Sequence, residues 1–86
     1  GCIIDNNVTL AHDNNIENFC HLAPGASLGS NINIGKYSIV GIGSSISTGI
    51  NIAQNCIISV GSSIKENIKS NSVVEGNPGK VIGTKK

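Results

Sequence analysis

Aliphatic residues recur at every sixth position along most of the chain. From Ile4 to Ile64 each sixth residue is Ile, Leu or Val, which makes eleven aliphatic residues in eleven positions. A second row of mostly small or aliphatic residues lies four positions further on in each hexad, from Val8 to Ile68. A period of six matches no helical period, and β-branched residues with Gly and Asn between them disfavour helix. The pattern predicts one short strand and one corner in each hexad.

A single hexad cannot bury its own aliphatic residue, so the strands have to stack. Successive coils about 4.7 to 4.9 Å apart would close one another in a parallel β-helix. The pattern ends at Ser70, where an aliphatic residue is due and a polar one stands. We therefore expect a repeat domain over residues 1–69 and a closing segment over residues 70–86.

Composition adds three limits to this picture. A chain of 86 residues with net charge +1 is one small domain, which gains stability from oligomerisation. It has one Phe, one Tyr and a nearly balanced charge, and it has no apolar run of about 18 residues, so neither a nucleic-acid nor a membrane partner is expected. Cys2, Cys20 and Cys56 fall in the inward row of one face and are interpreted as core residues, with a disulfide or a metal as the alternatives. Their odd number and the lack of a signal peptide indicate a cytoplasmic protein.

Two histidines lie outside both inward rows, so the fold does not require them. His12 is followed by Asp13, and His21 stands nine residues later in the run His-Leu-Ala-Pro-Gly-Ala. Near the C-terminus the run from Ser72 to Ile82 contains Glu-Gly-Asn-Pro-Gly-Lys. Together with the hexads, these motifs resemble the left-handed β-helix hexapeptide-repeat acetyltransferases, and among them the sialic acid and UDP-amino-sugar (bacillosamine-type) enzymes.

The resemblance implies an all-β, left-handed parallel β-helix in which three hexads form each triangular coil. It also implies a homotrimer with the active site between neighbouring protomers. In enzymes of this kind the resemblance implies an N-terminal Rossmann-like domain for the sugar nucleotide, and residues 1–86 do not include one. Two positions depart from the family pattern: Asp5-Asn6-Asn7 replaces Asn-Thr-Gly, and Gly79 replaces Ala.

The resemblance assigns a catalytic pair. His12 matches the general base, and an imidazole can take a proton from an amine or hydroxyl near neutral pH. Asp13 matches the carboxylate that orients that ring, although a corner residue bonded to its own backbone is the alternative. No metal is expected, since a β-helix carbonic anhydrase would need three His ligands and the chain has two His.

The resemblance also assigns residues to acetyl-CoA. His21 matches the residue at the thioester, where a hydrogen-bond donor could stabilise an oxyanion, and Ile42 and Val60 match positions against the pantetheine. The glycines beside them are explained equally well by corner geometry. Five of the six lysines fall in the last 22 residues, which would attract the phosphates of CoA unless they form only a solvated tail. Lys80 is the candidate for the 3′-phosphate.

The predicted function is transfer of an acetyl group from acetyl-CoA to the amino group of a nucleotide-linked amino-deoxy sugar, for synthesis of a surface glycan. A sialic acid O-acetyltransferase is the alternative acceptor class. Another hexapeptide acyltransferase, such as a serine or maltose acetyltransferase, is a third interpretation. A non-catalytic β-helix that serves as a trimerisation scaffold is the alternative from outside the enzymes.

Overall fold

A computed structural model describes residues 1–84 and has a two-residue strand in each predicted hexad. Eleven such strands are followed by two longer ones. The strands are β1 (Ile3–Ile4), β2 (Thr9–Leu10), β3 (Asn15–Ile16), β4 (His21–Leu22), β5 (Ser27–Leu28), β6 (Asn33–Ile34), β7 (Ile39–Val40), β8 (Ser45–Ile46), β9 (Asn51–Ile52), β10 (Ile57–Ile58), β11 (Ser63–Ile64), β12 (Ser72–Glu75) and β13 (Lys80–Thr84). Residues 1–84 contain no helix of the length and apolarity that crossing a lipid bilayer requires.

The strands form the three faces of a triangular prism. Face A contains β1, β4, β7, β10, β12 and β13, face B contains β2, β5, β8 and β11, and face C contains β3, β6 and β9. Ile4, Leu22, Val40 and Ile58 are in register on face A, so each coil takes three hexads. The predicted parallel β-helix is confirmed.

Three edges join the faces. The chain turns from face A to face B at the AB edge, which is formed by residues 5–7, 23–25, 41–43 and 59–61. It turns from face B to face C at the BC edge (11–13, 29–31 and 47–49) and returns to face A at the CA edge (17–19, 35–37 and 53–55). The BC edge is the one edge that does not border face A.

Both predicted rows point into the prism. The first row is buried from Leu22 to Ile64, and Ile34 is 0% exposed. Ile4 and Leu10 remain 50% and 38% exposed, because no strand pairs with the outer side of the first coil in residues 1–84. The inward direction is thus predicted correctly, while burial depends on having a coil on both sides.

The inward cysteines and serines fill the narrow parts of the core. Cys20 and Cys56 are buried and free, as predicted, and Cys2 is half-buried in the first coil. Burial raises the pKa of the Cys20 thiol above its ordinary value. The Ser38 hydroxyl donates to the Ala53 carbonyl at 3.0 Å and accepts from the Cys56 amide at 3.1 Å, so its burial leaves no unsatisfied group.

The last residue of most corners has a left-handed backbone conformation. Gly, Asn or Asp occupies this place in most coils, as sterics require. Phe19 and Tyr37 are the exceptions, with φ of 64° and 63°. Their rings stack at the CA edge with centroids 5.3 Å apart and planes 6° apart. Contact between the two rings compensates part of the backbone strain.

The six-residue register breaks before the C-terminal strands, in the corner between Ile64 and Ile68. Ile68 pairs with Ile52, which is sixteen residues away and belongs to the first row. The prediction that Ile68 continues the second row is therefore wrong. Val74 pairs with Ile58, and β12 extends face A as a further parallel strand. The antiparallel β13 then closes face A. Lys85 and Lys86 of the basic tail lie outside the described residues.

Candidate active site

His12 and Asp13 form a pair at the BC edge. His12 Nδ1 is 3.1 Å from Asp13 Oδ2, and the side chains are 79% and 75% exposed. Asp13 occupies the left-handed corner position, with φ of 61°, where the following coils have Asn31 and Gly49. Its carboxylate contacts the imidazole, and the hydrogen bonds found in residues 1–84 include none that this carboxylate accepts from its own backbone.

This contact decides which nitrogen of His12 faces outward. An ionised carboxylate can only accept, so Nδ1 carries the hydrogen and Nε2 keeps a free lone pair. Nε2 is therefore the atom that can take a proton from a bound substrate. The pair has the arrangement expected of a base and the group that orients it.

His21 lies on face A with its side chain outward. Its Nε2 is 3.1 Å from Oδ2 of Asp5, which begins the AB edge in the coil below. Sequence reasoning noted Asp5 only as a departure from the family pattern. The two residues are sixteen apart, two fewer than one full coil, so the contact becomes visible when the sequence is written out in coils of three hexads.

Ile42 and Val60 lie one coil apart on the AB edge. They are 53% and 70% exposed. The Gly61 amide donates to the Ile42 carbonyl at 2.8 Å, and the Gly43 amide donates to the Pro24 carbonyl at 3.0 Å. Pro24, Ile42 and Val60 thus form an apolar ridge along the AB edge, and this ridge is a surface against which an extended ligand could lie.

The neighbouring glycines are explained by the fold. Gly43 and Gly61 have φ of 67° and 68°, which favours glycine whatever binds there. A Cβ on Gly41 would come within 2.7 Å of the Ile58 carbonyl oxygen in the next coil. Corner geometry therefore accounts for all three residues.

Lys80 begins β13 after the turn of residues 76–79, at the end of face A that borders the AB edge. A groove of about 340 Å³ lies beside it and is also lined by Lys65 and Glu66. Lys69 does not line this groove. Of the predicted cluster of lysines that residues 1–84 include, Lys65 and Lys80 thus line one groove, whereas Lys69 lies outside it.

Comparisons with family sequence models and with curated protein sequences gave no match. Comparison with solved structures gave several matches. The acetyltransferase domain of PglB from Neisseria gonorrhoeae FA1090, in complex with acetyl coenzyme A, superposes with a TM-score of 0.94 at 30% identity over 95% of this chain and 40% of its own. A UDP-N-acetylglucosamine acyltransferase superposes with a TM-score of 0.95 at 31% identity over 96% of this chain and 32% of its own.

The chain has the left-handed parallel β-helix fold that these acyltransferases share. A mutant of perosamine N-acetyltransferase from Caulobacter crescentus, in complex with CoA and GDP-perosamine, shares the fold with a TM-score of 0.94 at 23% identity, over 95% of this chain and 39% of its own. The chain thus spans between 32% and 40% of the length of these three proteins. Because a mirror-image coil could not superpose in this way, the predicted left hand of the prism is confirmed.

In this hexapeptide-repeat domain the candidate residues form two separate groups. His12 and Asp13 lie on the BC edge, whereas Ile42 and Val60 lie on the AB edge and His21 lies on face A beside it. Face B separates the two edges, a width of roughly 15 to 20 Å for six residues of extended chain. One prism therefore does not bring His12 and His21 into a single site.

The domain offers no evident metal centre in the part of the chain that the structure describes. No group of three or more His, Cys, Asp or Glu side chains is close enough to hold an ion there.

Proposed function

We propose that the protein is an acetyl-CoA-dependent acetyltransferase that acts on the amino group of a nucleotide-linked amino-deoxy sugar. The observation that carries the proposal is the exposed His12–Asp13 pair, whose Nε2 is free to accept a proton. The solved relatives support the donor and the acceptor class, since their structures are described with acetyl coenzyme A or with CoA and GDP-perosamine.

The proposed site is shared between two copies of the chain in a homotrimer. His12 of one protomer would face the AB edge and His21 of its neighbour, because these groups are separated by a whole face within one prism. Formation of the trimer would also bury part of a small prism that leaves several large apolar side chains exposed.

The donor would lie along the AB edge of one protomer. Its thioester would be near His21, and its pantetheine would pass the exposed side chains of Ile42 and Val60. Four strand spacings separate β4, which bears His21, from β13, which bears Lys80, a span of roughly 19 Å, so pantetheine together with the pyrophosphate can reach the end of the prism. There Lys80 would pair with the 3′-phosphate, with Lys65 adding positive charge to the same groove.

The reaction follows from this arrangement. His12 Nε2 takes a proton from the acceptor amine as the amine nitrogen attacks the thioester carbonyl carbon. A bond forms between nitrogen and carbon, an oxyanion develops beside His21, and the carbon–sulfur bond then breaks. The CoA thiolate leaves and takes up the proton held by His12, directly or through water.

The same base would serve a hydroxyl acceptor, so a sialic acid is the second acceptor class. The amino sugar is favoured because the perosamine enzyme is an N-acetyltransferase. Such a reaction fits a cytoplasmic enzyme that prepares a nucleotide-linked sugar for a surface glycan.

Calorimetric titration of acetyl-CoA into the purified chain, with the mass measured by light scattering, tests this proposal. We expect one donor site per protomer of a trimer. We also expect that His12→Ala lowers turnover by about 10²- to 10⁴-fold and leaves the trimer mass and donor binding unchanged. A trimer that binds no acetyl-CoA would instead support the scaffold interpretation.

A further inference from the structure

A second His–carboxylate pair lies on the prism, apart from the His12–Asp13 pair. Asp5 Oδ2 is 3.1 Å from His21 Nε2, and each side chain is 40% exposed. Asp5 belongs to the first coil and His21 to the second, so the contact joins neighbouring coils. The pair is neither buried in the core nor fully in solvent, which is a position where a ligand can reach it.

The carboxylate of Asp5 is held from two sides. Its Oδ1 is 3.3 Å from the Asn6 amide and accepts a hydrogen bond from it, while Oδ2 contacts the imidazole. The same corner position in the next coils is taken by Ala23, Gly41 and Ser59. The corner therefore forms without an acid, and the backbone does not explain why Asp5 is there.

His21 also stands out from its own column on face A. The residues in register with it are Ile3 and Ile39, which point outward and are 60% and 39% exposed. Within residues 1–84 the only side chain hydrogen-bonded to His21 is that of Asp5. Between two apolar neighbours, the orientation of the imidazole therefore depends on Asp5.

We propose that Asp5 is a positioning residue that holds His21 by Nε2, so that Nδ1 faces the acetyl group of the donor. This inference rests on the proposed acetyl transfer. Because an ionised carboxylate only accepts hydrogen bonds, Nε2 carries a hydrogen, and Nδ1 is the nitrogen left for a ligand. When both nitrogens carry hydrogen, the ring donates to Asp5 and to the thioester oxygen, and the carboxylate balances its charge.

The two histidines are therefore held by opposite nitrogens. Asp13 contacts Nδ1 of His12 and leaves Nε2 outward, whereas Asp5 contacts Nε2 of His21 and leaves Nδ1 outward. One ring is arranged to take a proton from the acceptor, and the other is arranged to recognise the carbonyl of the donor.

Titration with two ligands that differ only in the acetyl group tests the inference. Acetyl-CoA and CoA are each titrated into the wild-type chain, Asp5→Ala and Asp5→Asn. Alanine already occupies the equivalent corner at Ala23, so the backbone should accept it. Glu17→Gln is the matched control, because it removes one negative charge from a carboxylate whose bond is to the Lys36 amide, at 3.2 Å.

We expect Asp5→Ala to weaken acetyl-CoA binding by about 3- to 10-fold, as for the loss of one hydrogen bond to a ligand, and to leave CoA binding within about twofold. Asp5→Asn keeps an accepting oxygen and should recover part of the difference. Glu17→Gln should bind both ligands as the wild type does. The imidazole N–H signal that NMR detects for a hydrogen-bonded His21 should be lost in Asp5→Ala.

Two results would overturn the inference alone: equal weakening of both ligands, or no weakening of acetyl-CoA by either Asp5 variant. A wild-type chain that binds neither ligand would refute the proposed function and the inference with it. Circular dichroism of each variant separates these results from misfolding, and Asp5→Asn decides the matter if Asp5→Ala does not fold.

Discussion

Two inactive variants should restore each other's activity if each active site takes His12 from one protomer and His21 from its neighbour. His12→Ala removes the base on the BC edge, and His21→Ala removes the imidazole on face A. Each variant alone should lose about 10²- to 10³-fold or more in turnover. A mixed trimer, however, can contain an interface at which both residues are intact.

The size of the recovery follows from the geometry. In a closed ring of three protomers, each site pairs the BC edge of one subunit with the AB edge of the next. When the variants are refolded together in equal amounts, a site is intact only if a His21→Ala chain supplies the BC edge and a His12→Ala chain supplies the AB edge. This combination arises at about one quarter of the sites, far above the residual activity of either variant.

The assay is acetyl transfer from acetyl-CoA to a nucleotide-linked amino sugar after co-refolding, with mass spectrometry to verify that mixed trimers form. His12→Ala refolded with an equal amount of wild type is the control, and about half of its sites should be active, because only the BC edge must come from the wild type. If mixed trimers form and the two variants together are no more active than either alone, the shared site is wrong.

Five other substitutions probe the core and the donor site. Ile34→Ala, in the fully buried part of face C, should lower the free energy of unfolding by about 2 to 5 kcal/mol in chemical denaturation. Leu10→Ala in the open first coil should lower this free energy clearly less. Equal losses would show that the first coil is covered. Gly35→Ala places a Cβ against the backbone nitrogen of Gln54 in the next coil, so the melting temperature of this variant should fall by an amount equivalent to about 1 to 3 kcal/mol. Burial raises the pKa of the Cys20 thiol above its ordinary 9.0, so the unfolded chain loses the thiol proton at a lower pH than the folded chain does. The free energy of unfolding should therefore fall as the pH rises above 9.0. Cys20→Ser should remove this dependence of stability on pH. Lys80→Ala should weaken CoA binding several-fold, and the loss should be smaller at high salt. Binding of 3′-dephospho-CoA should stay unchanged. An equal effect on both ligands would contradict the contact between Lys80 and the 3′-phosphate.

The fold was predictable because the sequence repeats one simple constraint. Each coil must supply three inward aliphatic residues at fixed spacing, and no other architecture needs an uninterrupted period of six. The prediction failed at Ile68 for a related reason. An isoleucine suits either inward row, so the sequence alone does not show that one corner has lost two residues and that Ile68 has moved into register with Ile52.

Burial at the first coil could not be predicted in the same way. Ile4 and Leu10 follow the six-residue pattern as well as Ile34 does, yet they are 50% and 38% exposed. The inward direction of a side chain is set by its own hexad, whereas burial also needs a coil on each side. A one-dimensional pattern records only the first of these conditions.

The candidate site was predicted in part. His12 and His21 were identifiable because neither residue lies in an inward row, so the fold does not account for them. The contact between Asp5 and His21 was missed because the two residues are sixteen apart in sequence and lie in different coils. A contact between side chains of neighbouring coils can be predicted only after the corners have been assigned to the three edges. In the sequence, the departure from the family pattern at Asp5 was the only signal of this contact.

Asp13 shows how corner geometry and chemistry can be served by one residue. The last position of this corner has a left-handed backbone, which only Gly, Asn and Asp adopt at low cost, and Asn31 and Gly49 occupy it in the next two coils. Asp is the one of these three residues that also carries a charge, and its carboxylate contacts the ring of His12 directly before it. The fold therefore favours Gly, Asn or Asp at this place, and the proposed base requires an acid. Because the BC edge does not border face A, His12 is oriented toward whatever packs against this edge. In the proposed trimer that partner would be a second prism, whose AB edge would carry the acetyl donor that the first prism cannot bring there itself.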